Sequence, residues 1–352
     1  MDLKHFILAL TLALSVTAAA HAQQLVLKIQ PDASTESPEW TTLLTPWMKR
    51  LESQSNGRIR FDVSQPSQGT AGQSSTYQRL GQDAVDVIWS PVLGGQPADD
   101  KKADQPGLRT EVFELPFMMT NPEAVSRALW EYVEAFAADE FKDVHLIALH
   151  VQGPGAIHTS SRPVRSLEDI KSLRLSSEPR RVRQLLNAID NKQQEVDSAS
   201  ISEQLSSAVV DGVVADWQKA QPLAANKLAR HHTEFDAETG ALFTKTYVLA
   251  MDLKKYESLS EDLKKIIDAN SGIETSAELG RLAQEVAETE RSAVAELSGK
   301  DAVITMPLAD AQAFRKASIK VDQAWVAEIT SKGYDGQKLL DGAKTLIKKH
   351  TK

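Results

Sequence analysis

The residues best suited to chemistry in this chain cluster between Ser166 and Trp217. Asp216-Trp217 closes the short apolar run Val213-Val214-Ala215, so a carboxylate and an indole stand together at the carboxyl end of a buried strand. Ligands of open α/β sheets bind outside such strand ends. Arg180, Arg181 and Arg183 follow Glu178-Pro179, a helix start whose free amides could hold an anion. In Leu173-Arg174-Leu175-Ser176, alternation puts Arg174 and Ser176 on one face and the two leucines on the other. An acid beside an aromatic suits a cation, whereas clustered guanidinium groups suit a carboxylate. The plainer alternatives are arginines on a solvated face paired with nearby acids, and Trp217 as core.

Signatures of catalysis are missing. There is no G-x-S-x-G, H-E-x-x-H, Walker A loop or G-x-G-x-x-G, and with no cysteine a thiol nucleophile is excluded. His231-His232 looks like a metal pair, but adjacent side chains diverge in both helix and strand, so these read as histidines on a lobe surface. No catalytic residue, metal or cofactor is expected. A scattered Ser/His/Asp triad keeps a secreted hydrolase open as one alternative class; a ligand-sensing partner of a membrane receptor is the other.

The surrounding elements read as α/β. Leu25–Ile29, Arg58–Val63 and Val85–Trp89 are strands, and Val144–Leu149 is a buried one. Ser37-Pro38 starts a helix carrying Trp40, Leu43, Leu44, Trp47, Met48 and Leu51 at helical spacing; Gly57 stops it and Pro46 should kink it. Ser64–Ser75 reads as a loop before a short helix near Tyr77–Gly81, and the polar stretch Leu93–Arg109 as a solvated loop. Asn121-Pro122 opens another helix. Ser166 with Asp169, and Ser200 with Glu203, are capping boxes. Gly153-Pro154-Gly155 and the long strand Ala241–Asp252 are places where the chain could cross between two lobes. Leu259–Leu297 reads as a medium and a long helix, and two more helices, about Asp310–Ser331 and Gly336–His350, follow.

The 352 residues are 41% hydrophobic and 25% charged, enough for two lobes, and the net charge of −8 argues against nucleic acid as a partner. Lys4 and His5, the apolar run Phe6–Ala20 and Ala20-His21-Ala22 describe a secretory leader over 1–22, cleaved after Ala22. The run falls short of the roughly 20 apolar residues of a spanning helix. The mature chain therefore reads as exported, with a bacterial periplasm as the natural compartment.

The order of motifs resembles the solute-binding subunits of tripartite ATP-independent periplasmic (TRAP) transporters, the DctP-like family. The motifs are Asn56-Gly57-Arg58, Ala84-Val85-Asp86-Val87, Glu114-Leu115-Pro116-Phe117, the run Pro163 to Arg174, Val210-Asp211-Gly212 and Tyr256 through Leu263. The resemblance implies a two-lobed periplasmic binding protein of type II-like form, each lobe a mixed sheet flanked by helices, with a long helix spanning both. Residues 23–150 and about 240–273 would form the first lobe, and 151–239 with about 274–352 the second. It also implies a monomer without enzymatic activity that delivers a small organic solute to the membrane permease subunits of an ion-gradient-driven transporter.

Departures from the family pattern bear on the ligand. The arginine with which family members clamp a carboxylate falls at Ser176, a second arginine falls near Ala156, and the usual asparagine falls at Ala215 beside Asp216-Trp217. Cations lost and an acid gained suggest a small amine, an amino alcohol or a neutral solute; the alternative is an organic acid held by other arginines such as Arg180. The expected ligand-binding residues are Gln30, Trp89, Phe117, Gln152, Ser176, Arg180, Asp216 and Trp217.

Overall fold

The computed structural model describes residues 24–31, 34–63, 79–81, 85–92, 107–177, 179–193 and 201–351. The leader, the Ser64–Ser75 loop, Tyr77, most of Leu93–Arg109 and the Ser200 cap lie outside the described residues. Among the described residues, no helix is long and apolar enough to cross a membrane.

Strand β1 (Leu25–Pro31) alternates, burying Leu27 and Ile29 while Val26 faces out. Ser37 Oγ accepts from the Trp40 amide at 3.2 Å, and the chain enters a π-helical turn, Trp40–Leu44, before α1 (Thr45–Gln54). The distortion expected at Pro46 takes this form because proline has no N–H to donate and its ring crowds the preceding turn, which widens. Next come β2 (Ile59–Val63) and β3 (Val87–Pro91), a 3-10 turn Thr110–Glu114, and α2 (Pro122–Tyr132). Asn121 caps α2 through the Ala124 amide at 2.9 Å.

Strand β4 (Val144–Gln152) leads through Gly153-Pro154 into β5 (Gly155–Thr159). Then follow α3 (Leu167–Lys171), β6 (Arg174–Ser177), α4 (Arg180–Ala188), β7 (Lys192–Gln193), α5 (Ile201–Ser206), β8 (Gly212–Asp216), α6 (Trp217–Ala225) and β9 (His231–Glu234). The chain returns as β10 (Lys245–Asp252), α7 (Leu253–Glu257) and α8 (Glu261–Asp268). It closes with α9 (Ile273–Ser298), β11 (Val303–Thr305), α10 (Leu308–Ser331) and α11 (Gly336–His350).

These strands make two mixed sheets, one per lobe. The first has the order β2-β1-β3-β10-β4, with β1 parallel to both neighbours and β10 antiparallel to β3 and β4. The second has the order β11-β9-β5-β8-β6-β7, with β5 the antiparallel member between β9 and β8. The chain thus crosses between sheets after Gln152 and again before Lys245, and α9 packs on α2 and β4 of the first lobe and on α6 of the second.

Strand β4 is the outer strand of its sheet, and helices cover its free edge. Ser276 Oγ of α9 accepts from the Leu149 amide at 3.0 Å, and Ser126 Oγ of α2 accepts from the Val151 amide at 3.1 Å. Both hydroxyls are buried, so the edge amides lose water without losing a partner. This close approach needs Gly280: a Cβ there would lie 2.3 Å from Ser126 Oγ and 2.5 Å from the Pro122 carbonyl. Gly280→Ala should destabilise the protein, because overpacking against a fixed carbonyl costs about 1–3 kcal/mol, more than the roughly 1 kcal/mol gained in helix propensity. The check is thermal unfolding of ligand-free protein; a variant that melts higher would show that α9 and α2 can part without loss.

Candidate functional site: a cleft between the lobes

A cavity of about 360 Å³ opens where the two crossovers meet α6 and α9. Its walls come from both sheets, and the chemistry starts at their strand ends. Asp216 ends β8 and caps α6, its Oδ1 accepting from the Lys219 amide at 2.9 Å. Lys245 begins β10 directly opposite Gln152 of β4, and its Nζ lies 3.4 Å from Asp216 Oδ2. Burial pushes the Asp216 carboxyl up, but the ammonium groups of Lys245 and Lys219 and the capping amide outweigh it and hold the group below the usual range.

Two residues along β10 from Lys245, on the same face, Tyr247 also lines the cavity. Its ring packs 5.5 Å from His150 and 5.2 Å from Trp89. Trp89 Nε1 donates to His150 Nε2 at 2.9 Å, which needs a neutral imidazole. Burial supplies that, lowering His150 to about 3. On the other wall the Trp217 ring stands edge-on to His158, centroids 5.2 Å apart, with the Arg291 guanidinium 5.9 Å from its centre. Phe243 and the α9 stripe Ala283, Val286, Ala287 complete the apolar surface, and Glu290 follows one turn on. Glu39, from the first lobe, closes the mouth by accepting from Gln218 Nε2 of the second lobe at 2.6 Å.

Two donors of this lining have no protein acceptor. Gln152 Nε2 and Trp217 Nε1 are buried and unpaired. Burying such a donor costs on the order of 1–3 kcal/mol unless a partner is supplied.

Of the eight residues expected from sequence, Gln152, Asp216 and Trp217 line this cavity together. The others lie elsewhere. Trp89 sits one layer down, beneath Tyr247, because β3 runs on to Pro91 and it is Pro91 that reaches the cavity. Gln30 is likewise inside β1, opposite Ile88. Ser176 is buried within β6 against Val213 of β8, since that strand extends to Ser177. Phe117 packs edge-on to Phe235, 5.1 Å between centroids, in a groove beside α10 and α11. Arg180 is turned away into an ion cluster, with Nη2 2.7 Å from Glu111 and Nη1 3.1 Å from Glu328.

The other arginines are also engaged. Arg174 forms a two-pronged pair with Asp211, at 3.1 and 2.8 Å, and Arg183 donates to the Ser177 carbonyl at 3.0 Å. His232 is fully buried rather than on a lobe surface, its Nδ1 2.8 Å from that of His158 and its Nε2 2.9 Å from Ser298 Oγ. Burial, with mutual repulsion, lowers His158 to about 3, and burial lowers His232 to about 4, so the pair is neutral and braces the wall behind Trp217. Among the described residues, no group of three His, Cys, Asp or Glu could hold a metal ion.

Sequence reading missed Glu39, Gln218, Lys219, Phe243, Lys245, Tyr247 and Glu290. A signal existed for some of them. Once 241–252 reads as a crossover strand, Lys245 and Tyr247 share one face at its start, and Ala283, Val286, Ala287 and Glu290 share one face of a long helix.

Comparison with known proteins places this geometry. The family model described as bacterial extracellular solute-binding protein, family 7 (DctP), matches residues 31–328. A crystal structure of a TRAP solute binding protein from Rhodoferax ferrireducens T118, in complex with copurified benzoate, is similar at a TM-score of 0.81 and 36% identity, over 93% of this chain and 99% of that one. A marine metagenome TRAP solute binding protein specific for aromatic acid ligands, co-crystallised with 3-hydroxybenzoate, is similar at a TM-score of 0.83 and 26% identity, over 94% and 100%. The outer membrane transporter protein TsaT of Comamonas testosteroni is 26% identical over 97% of each chain.

Proposed function

The chain belongs to the bacterial extracellular solute-binding proteins of family 7, the TRAP solute-binding proteins, and from that membership we propose that it captures a small aromatic carboxylate between its lobes and presents it to the membrane permease of a TRAP transporter. The setting for this role is the periplasm, after removal of a leader ending at Ala22.

The observation that carries the aromatic-acid reading is the pair of buried unpaired donors, Gln152 Nε2 and Trp217 Nε1, lining the same cavity as Lys245. N–H donors and an ammonium group call for acceptors and negative charge. Phe243, Tyr247 and Trp217 offer an aromatic wall for the ring. Two similar proteins bind benzoate and 3-hydroxybenzoate, which fits the same choice.

An amine fits less well. The carboxylate that would attract it, Asp216, already faces Lys245 at 3.4 Å, and an ammonium group accepts no hydrogen bond, so only the uncharged hydroxyl of an amino alcohol could answer either donor.

The test is thermal unfolding of the mature chain with benzoate, 3-hydroxybenzoate and ethanolamine. An acid at 100 times its Kd should add about 2.7 kcal/mol of stability, and ethanolamine should add none. Stabilisation by ethanolamine with none from either acid overturns the reading.

A further inference from the structure

We propose that Glu39 selects among aromatic acids: it accepts a hydrogen bond from a second polar group on the ligand ring, so that the site takes a hydroxylated aromatic monocarboxylate in preference to an unsubstituted one and disfavours dicarboxylates. The inference rests on the aromatic-acid reading above and adds a residue to it.

The geometry of Glu39 carries it. The residue is 8% exposed, yet among the described residues it makes no ion pair. Its one cross-cleft partner is the amide of Gln218, 2.6 Å away. Every other charged group on the cavity wall answers to a different partner or adds repulsion. Lys245 pairs with Asp216, Lys219 stands on the same turn of α6, and Asp216 and Glu290 both face Glu39 as like charges. A carboxylate acceptor has room for more than one donor. The Glu39 amide and the Ser37 hydroxyl also support the carboxylate, and a ring hydroxyl entering from the ligand adds a further donor, in the charge-assisted form that is the stronger kind. A second ligand carboxylate in that place would instead meet Glu39, Glu290 and Asp216 together.

Burial, with repulsion from Asp216 and Glu290, pushes the Glu39 carboxyl up to about 7. Ligand binding and Glu39 ionisation are therefore linked near neutrality, and the sign depends on the ligand. A hydroxyl donor favours the ionised carboxylate, so a hydroxybenzoate binds better as pH rises through that range. Benzoate brings only negative charge and favours the protonated form, so it binds better as pH falls.

The experiment is calorimetric titration of the mature chain with benzoate and with 3-hydroxybenzoate from about pH 6 to about pH 8, where neither ligand carboxylate nor phenol changes charge. The expected result is opposite slopes, with the ratio of the two affinities changing about tenfold across the range. In Glu39→Gln both slopes flatten and the preference for the hydroxylated acid shrinks. Parallel slopes in the unaltered chain, or an unchanged preference in Glu39→Gln, overturn the role of Glu39 while leaving aromatic-acid binding intact. Failure of both acids to bind at any pH overturns the reading on which it rests. The slopes of the unaltered chain decide the matter even if the variant folds poorly.

Discussion

Replacing Arg181 by Met should destabilise the protein by about 3–5 kcal/mol, the cost of breaking a buried ion pair from one side. Arg181 is 2% exposed, and its Nη2 contacts Glu111 and lies 3.0 Å from Glu328. Glu111 belongs to the 3-10 turn Thr110–Glu114 and is itself buried, Arg181 lies on α4, and Glu328 lies on α10. Three separate parts of the chain are thus tied at one point. The hydrophobic body of Met fills much of the space, so the loss comes from charge imbalance rather than from a void: Glu111 and Glu328 are left to share Arg180 alone. Two comparisons follow. Arg180→Met, with a side chain 31% exposed, should cost clearly less. Combining Arg181→Met with Glu111→Leu should recover part of the loss, because one carboxylate, Glu328, then faces one guanidinium, Arg180.

Acid should act through the same cluster. Burial pushes the Glu328 carboxyl up, but Arg181 and Arg180 outweigh it and hold the group below its usual range. Its contribution is therefore present above the ordinary carboxylate range and is lost as pH falls through the lowered value. In Arg181→Met the Glu328 carboxyl moves back toward its ordinary range, so this acid-dependent loss should be smaller. Denaturant unfolding at neutral and acid pH would measure both effects, and a change under about 1 kcal/mol at neutral pH would show that the cluster adds little.

Lys245→Met should weaken binding of benzoate about a hundredfold, as expected when an ion-paired donor worth some 2–3 kcal/mol is removed from a buried site. Two effects add. The ligand carboxylate loses a cation, and Asp216, whose Oδ2 lies 3.4 Å from Lys245 Nζ, becomes a less well compensated acid facing it, with Lys219 and its capping amide remaining. The second effect is separable: Lys245→Met with Asp216→Asn should bind better than Lys245→Met alone. Lower pH should likewise rescue the single variant, since the Asp216 carboxyl rises once its first ammonium partner is gone. Calorimetry on the three proteins reads all of this, and unchanged affinity in Lys245→Met would reduce the lysine to a structural partner of Asp216.

The lobed architecture was legible because its signals are local. Strand alternation, the Asn121 and Ser166 caps and the long helix-forming run over α9 each declare themselves within a few residues. The site was legible only where it coincided with a strand end, as at Gln152 and Asp216-Trp217. Strands β1, β3 and β6 each run a residue or two further than the pattern suggests, which moved Gln30, Trp89 and Ser176 from the mouth into the sheet. Arg180 misled for another reason: a guanidinium at a helix start looks the same whether it awaits a ligand or an acid. Its partners lie 69 and 148 residues away in the chain. Glu39 and Lys245 met the same obstacle, since both belong to the first lobe and their partners, Gln218 and Asp216, stand across the cleft on the second.

Strand β10 lies between β3 and β4 in the middle of the first sheet, yet all of β5 to β9 is threaded between β4 and β10. When β4 has emerged, that sheet is still in two pieces, and β3 and β4 each present a bare edge that only residues 245–252 can cover. Pairing across such long sequence separations is slow, and exposed edges invite pairing with other chains in the meantime. The strand that carries Lys245 and Tyr247 into the cleft is thus also the last piece of its sheet to arrive. A chain cut short before Lys245 would hold a complete set of β5, β6, β8 and β9 strands but an unclosed first lobe.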